Sequence, residues 1–139
     1  MTDISQEFFY FIILIIIVVF VDIIFGVWQL KKVKKFIKNS LRTRAVVTDY
    51  NFIRDGKNSH HEVSFEFKNN KGETFISKSR AMKQYRKNDK IEIFYSKSDP
   101  NDNKINSFQV LYLLPFMLIV VTPIVMIGLV VFLYLNGGF

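Results

Sequence analysis

The stretch from Phe8 to Leu30 contains no Lys or Arg and a single acid, Asp22, and Lys31-Lys32-Val33-Lys34-Lys35 follows it at once. About 23 residues in a helix, at 1.5 Å rise each, reach roughly 34 Å, which covers the ~30 Å hydrocarbon core of a bilayer. A helix satisfies its backbone polar groups internally, as hydrocarbon requires, and the lysines bar further transfer on their side. The sequence therefore predicts a membrane protein with a transmembrane helix over 8–30. The tail 1–7 has no Lys or Arg, and the run lacks the positive n-region, short apolar stretch and small-residue cleavage site of a secretory signal. This first helix is expected to stay attached, with Phe8, Phe9 and Tyr10 at one interface and Trp28 at the other.

A second apolar run without charge predicts a transmembrane helix over 109–135, followed by a short tail over 136–139. Pro115 and Pro123 interrupt its backbone ladder and are expected to bend it, with Thr122 or the first helix meeting the freed carbonyls. All 19 Lys and Arg lie between Lys31 and Lys104, together with 9 acids, so this interval carries +10 of a chain whose net charge is +7. Seven of the cations lie between Lys31 and Arg44, close to the first span, and both terminal tails have none. By the positive-inside rule the expected location is the cell inner (cytoplasmic) membrane, with both termini extracytoplasmic and the middle segment cytoplasmic.

Asp22 is costly in hydrocarbon by a few kcal/mol and needs a partner. Gly26 and Gln29 lie four and seven residues on, so the three share a helix face, and the small Gly26 admits a second helix closely. This face is expected to be the helix–helix seam. With the cytoplasmic ends of an antiparallel pair level, Asp22 falls opposite about position 118 and leans toward Thr122, the first candidate partner, with Tyr112 the second. The alternative for Asp22 is a proton or ion site, or a contact that forms a homo-oligomer.

Beyond Leu30 the periodicity stays helical. Val33, Phe36, Ile37 and Leu41 occupy one arc and Lys31, Lys32, Lys34, Lys35 and Lys38 the other, which predicts a basic amphipathic juxtamembrane helix over 31–42. The five lysines are expected to contact anionic lipid headgroups, each at about 1 kcal/mol. Juxtamembrane placement accounts for the run, and nucleic acid is not an expected partner.

From 43 to 108 the period changes to two, most clearly in Val63, Phe65 and Phe67 against Glu62, Ser64, Glu66 and Lys68. Strands are expected over 44–52, 61–68, 74–79, 90–95 and 104–108, with turns at Asp55-Gly56 and Asn70-Lys71-Gly72. The expected class is an α+β membrane protein, with two transmembrane helices flanking a small antiparallel β-barrel or β-sandwich domain.

Ala45-Val46-Val47, Gly56, Val63-Ser64-Phe65, Gly72, Phe75, Ser77, Tyr85, Asn88 through Tyr95 and Asp99-Pro100 resemble the uncharacterised bacterial two-transmembrane family grouped as domain of unknown function 3592. The resemblance covers nearly the whole chain. It departs at Asn88-Asp89, where Gly-Asp is usual, and at Tyr95 to Pro100, where Tyr-Asp-Pro is usual. It implies an integral membrane protein with a small β domain and supplies no activity or catalytic residues.

No catalytic, cofactor-binding or metal-binding residues are expected. With no cysteine there is neither a disulfide framework nor thiolate chemistry. His60 and His61 are neighbours on a strand and point to opposite faces, which does not suit a shared metal. Glu62, Glu66 and Lys68 read as a solvated strand face, and no phosphate loop or nucleophile elbow is present. The expected function is a non-enzymatic interaction module for an unknown protein partner or lipid headgroups, as an accessory or regulator of a membrane complex. The alternatives are an immunity protein that neutralises a membrane-targeting bacterial toxin, and a subunit of an oligomeric transporter or channel.

Overall fold

Helix α1 (Thr2–Lys38) runs unbroken through the first apolar stretch and into its lysines, in a computed structural model that describes the backbone of residues 2–136 and the side chains of residues 6–136. The chain divides into two units, Met1–Lys32 with Leu113–Phe139, and Val33–Tyr112. Thr2 to Glu7, expected as part of a tail, belong to α1, whereas Met1 and residues 137–139 lie outside the described residues. Among the described residues two helices are long and apolar enough to cross a membrane, Gln6–Lys38 and Leu113–Leu135. Their apolar side chains stand open, as Phe20 at 64% and Ile124 at 64% illustrate, an arrangement that suits lipid rather than water.

The second apolar run is not one regular helix. A short helix α2 (Phe108–Leu111) is capped by the Ser107 side chain, which accepts from the Val110 N–H. Then come α3 (Leu113–Phe116), a π-helical segment (Met117–Val121) and α4 (Thr122–Leu135). The irregularity lies between the prolines, for the reason expected: neither Pro115 nor Pro123 supplies an N–H. The Met117 carbonyl is met twice by Thr122, through its backbone N–H and through its hydroxyl at 3.1 Å.

In the second unit α1 hands over to the sheet within one residue. Asn39 N–H donates to Phe36 O at 3.1 Å and to Lys35 O at 3.2 Å, and Ser40 Oγ donates to Phe36 O at 2.6 Å. Strand β1 (Ser40–Asp55) starts there, so the amphipathic helix expected over 31–42 stops at Lys38. Leu41 and Arg42, expected on its last turn, pair instead with Tyr95 and Phe94. The β-branched and aromatic neighbours that follow supply a ladder, which outweighs the helical spacing of one leucine.

Strands β2 (Asn58–Lys68), β3 (Thr74–Arg80), β4 (Lys90–Ser96) and β5 (Asn103–Ile105) complete an antiparallel sheet of order β3-β2-β1-β4-β5. It is an open sheet; the expected closed barrel or two-layer sandwich is not what forms. β5 has only three residues, too few to ladder with β3, and the two edges meet through side chains, Ser77 Oγ donating to Asn103 Oδ1 at 2.8 Å. The core is one face of this sheet, with Ala45, Val47, Val63, Phe65, Ile93, Tyr95 and Ile105 buried and Tyr85 packed among them. Alternation drives this: Val63, Phe65 and Phe67 all turn inward, as the pattern predicts.

Two turns need left-handed backbone. Gly56 (φ 54) starts the two-residue link between Asp55 and Asn58, and Gly72 (φ 81) closes a turn that Asn69 organises by accepting from Lys71 N and Glu73 N. Asn88 is the one described non-glycine residue with positive φ, at 72.

Replacing Phe65 by Ala should lower the stability of the β unit by about 3–5 kcal/mol, measured by thermal or denaturant unfolding of the whole chain in nanodiscs. A second expectation concerns pH. The Arg42 guanidinium bonds and pairs with Glu92, holding its carboxyl below the usual range against an opposing burial effect, with Asn106 and Arg44 adding to the lowering. A depressed carboxylate pKa stabilises the fold above the unfolded value and loses that contribution as pH falls through the folded one. Unfolding midpoints of the native chain and Glu92→Gln should therefore differ slightly at pH 7, the pair being exposed, and converge as pH falls below the ordinary carboxylate range.

Candidate functional site

The residues with chemical potential fall into three places. The first is the helix pair of the first unit. Gly26 is buried, and a Cβ placed there would come within 2.6 Å of Ile119 Cγ1 and 3.2 Å of Leu118 Cβ. The glycine is thus required where the second helix passes. Phe8 stacks with Tyr134 at 6.3 Å, so the helices run antiparallel with Gly26 opposite 118–119. That is one turn from the register expected from level cytoplasmic ends, and it brings Asp22 opposite about residue 122. Asp22 and Gln29 are half-buried on the flank of this face.

The expected partners of Asp22 are otherwise engaged. The Thr122 hydroxyl donates to Met117 O, and the Tyr112 ring stacks on Phe108 at 6.2 Å within the other unit. Among the described residues no hydrogen bond or ion pair reaches Asp22. The hydroxyl bonds back to a carbonyl of its own helix, the same one that its backbone N–H meets, as Ser and Thr hydroxyls within helices do.

The second place is the basic end of α1. Lys31, Lys32, Lys34, Lys35 and Lys38 are all exposed, while Val33, Phe36 and Ile37 are half-buried. Lys32 Nζ sits 3.5 Å from the centroid of the Trp28 ring, one turn back, a cation–π contact. Lys104 on β5 lies over Phe36 at 4.6 Å. The sequence reading missed this sixth lysine, since 66 residues separate it from Lys38 and only the β4–β5 hairpin brings it there. Lysine ammonium groups held by rings and free of carboxylates suit multivalent contact with phosphate groups.

The third place is the far half of the β1–β2 hairpin. His61 is not paired with His60; its ring lies parallel to Tyr50 at 5.2 Å and tilted against Phe52 at 4.9 Å. Tyr50 in turn meets Tyr85 edge-on at 6.4 Å, and Lys83 Nζ lies 5.3 Å from the Tyr85 ring. An open cleft of about 600 Å³ is lined by Tyr50, Gln84, Tyr85, Arg86 and Asp89. Burial pushes the Tyr85 hydroxyl pKa up, and Tyr50 adds to the rise, so this phenol stays a neutral hydrogen-bonding group. Asp89 is already used, accepting from Arg86 N–H at 2.8 Å. Glu62 pairs with Lys78 across the β2–β3 ladder at 3.5 Å, in keeping with a solvated strand face. Among the described residues no group of three or more His, Asp or Glu converges as a metal site.

Compared with known proteins, the chain matches no family model, no curated protein sequence and no solved structure.

Two substitutions test the helix pair. Gly26→Leu should lower its stability by about 1–3 kcal/mol, because the side chain has no room against Ile119. Asp22→Leu should raise it by a similar amount, because an unpartnered carboxyl in hydrocarbon is removed. Both are read as shifts in the unfolding midpoint on titration of micelles with a denaturing detergent.

Proposed function

We propose that this protein is an integral component of the bacterial cytoplasmic membrane whose β domain faces the cytoplasm and serves as an interaction module for protein or lipid headgroups, in the service of a membrane complex. The observation that carries the reading is the unbroken course of α1 from apolar stretch to exposed lysines, with the sheet beginning two residues later. Charge and sheet leave the span on one side, and lysines next to a span stay cytoplasmic. The exposed lysines at the end of α1 supply positive charge whose attraction for anionic lipid is about 1 kcal/mol each near the membrane.

The resemblance to the two-span family of unknown function belongs to this proposal. It is supported at the position of its most visible departure: Asn88 stands where glycine is usual, and its φ of 72 is a conformation that glycine fills and asparagine tolerates. A second reading, an oligomeric transporter or channel subunit, is favoured by the unpartnered Asp22. It requires that Asp22→Asn abolish an ion flux in proteoliposomes.

The chain's lack of cysteine gives a clean test of orientation. With a membrane-impermeant thiol reagent on intact cells, Gln6→Cys should label and Asn58→Cys should not; the reverse result removes the cytoplasmic placement. In vesicle flotation, changing Lys34, Lys35, Lys38 and Lys104 to Gln should lower recruitment of anionic short-chain lipid to the purified protein, with no change for zwitterionic lipid.

A further inference from the structure

We propose that the free edge of β1 from Tyr50 to Arg54 is a docking site for an extended, acidic segment of a partner protein, which adds to the sheet as a strand in line with β4. The inference rests on the interaction-module reading and gives that module its site.

β1 has neighbours on both sides only around Ala45 to Val47; β4 alone accompanies Ser40 to Arg44. Its ladder with β4 ends at Val46↔Lys90, with two last rungs, Val47 N–H to Asp89 O and Asn88 N–H to Val47 O, each 2.8 Å. β2 accompanies it alone as far as Asp55↔Asn58. In a hairpin with a two-residue link the closing pair faces inward, so alternation turns the N–H and C=O groups of Tyr50, Phe52 and Arg54 outward. The Tyr50 N–H shows what an open edge does: it donates to its neighbour's carboxylate, Asp49 Oδ1 at 2.9 Å, in place of a strand. The bulge between Val47 and Asp49 lies before this stretch and no proline interrupts 50–55, so the backbone is open to a strand here and the charges around it decide which strand. The other edges are poorer: β5 has three residues, and β3 is tied to it by Ser77 and Asn103.

Space, anchor and charge agree. The cleft lined by Tyr50, Tyr85, Arg86 and Asp89 adjoins the point where pairing on that side of β1 ends, at Val47 and Asp89. Phe52, 56% exposed, offers a ring face for a large apolar side chain. Arg54 belongs to the edge stretch, Arg86 lines the cleft beside Tyr50, Lys83 lies over Tyr85 and Lys87 precedes Asn88; none of the four makes an ion pair among the described residues, while Asp49 and Asp89 are held by local amides and Asp55 closes the hairpin. Main-chain pairing supplies affinity in strand addition, and alternate side chains supply specificity. A cation-rich edge selects an acidic strand and disfavours a second copy of itself.

The test uses the whole chain in nanodiscs of zwitterionic lipid and a fluorescein-labelled decapeptide alternating Glu with Val, one central Val replaced by Phe. Anisotropy should show saturable binding. Binding should be about ten-fold or more weaker for the same peptide N-methylated at alternate residues, for its Glu-to-Lys counterpart, and for the Arg86→Glu, Lys87→Glu chain. Phe52→Pro, which removes an outward N–H, should weaken it similarly, with Phe52→Leu close to native. Because the proline variant risks unfolding the hairpin, hydrogen exchange of the unaltered chain is the second readout: Phe52 and Arg54 amides should slow when peptide is added. No saturable binding up to about 1 mM, or equal binding of the lysine or N-methylated peptide, overturns the proposal. Protection of the same amides without peptide, in a particle of dimer mass, overturns it in favour of a second copy. The two readings fail separately. A defined partner that co-purifies equally with Phe52→Pro removes this edge and leaves the module, whereas peptide binding with no partner in cells removes the module and leaves the edge.

Discussion

Strand β1 is the constraint on which the β unit depends. It is the central strand, and it is the one that continues from α1, so the sheet is built outward from the point where the helix ends. Its first half is held by β4 and its second by β2, with overlap at Ala45 and Val46. The bulge after Val47 lets one strand serve both neighbours, because the extra residue bends the strand and raises its twist. The buried residues Ala45 and Val47 sit at this overlap, where the inward faces of β2 and β4 converge with Phe65 and Ile93. A sheet curled in this way encloses a core on one face without a second layer, and Ser77 and Asn103 join its edges where no ladder can.

In the unit of the two long apolar helices the corresponding constraint is steric. Gly26 leaves room for Ile119 and Leu118, and the π-helical turn lies at the same level. The turn and the two prolines cost regular hydrogen bonds, and Thr122 offsets part of that cost by giving both of its donors to Met117 O. Asp22 lies about opposite this irregular stretch and takes none of those donors. A carboxyl in such a place stabilises nothing that the described residues make, which distinguishes it from Gly26, whose part in packing is direct.

The charged surface divides by its neighbours. Arg42 with Glu92 and Lys78 with Glu62 are exposed ion pairs of the kind that contribute little. Among the described residues the lysines at the end of α1 have no acid paired with them, and two lysines sit on rings of that helix, Lys32 on Trp28 and Lys104 of β5 on Phe36. A cation seated on a ring keeps its ammonium donors available. At the far end of the sheet, Tyr50, His61 and Phe52 form a ladder of rings beyond the buried core, where the sheet has narrowed to two strands.

Local pattern determined the parts whose physics is local. The apolar length of 8–30 dictates a helix long and apolar enough to cross a bilayer, and the two-residue alternation around Val63, Phe65 and Phe67 dictates a strand and its inner face. Asp55-Gly56 and Gly72 dictate turns, because few other residues accept positive φ. Gly26 was legible as a close-approach position from its spacing alone. What depended on distant partners was decided only by tertiary structure. The helix gives way to strand at Ser40 because Tyr95 and Phe94 are there to pair with Leu41 and Arg42, 54 and 52 residues further on. The sheet stays open because β5 is too short, a property that no periodicity in the five residues 104–108 reveals. Thr122 turns to its own helix, bonding back to Met117 O, and Lys104 joins the lysines because a hairpin carries it to Phe36. Sequence spacing states which faces are apolar and which carry charge; which two faces meet is settled by backbone ladders and packing between residues far apart in the chain.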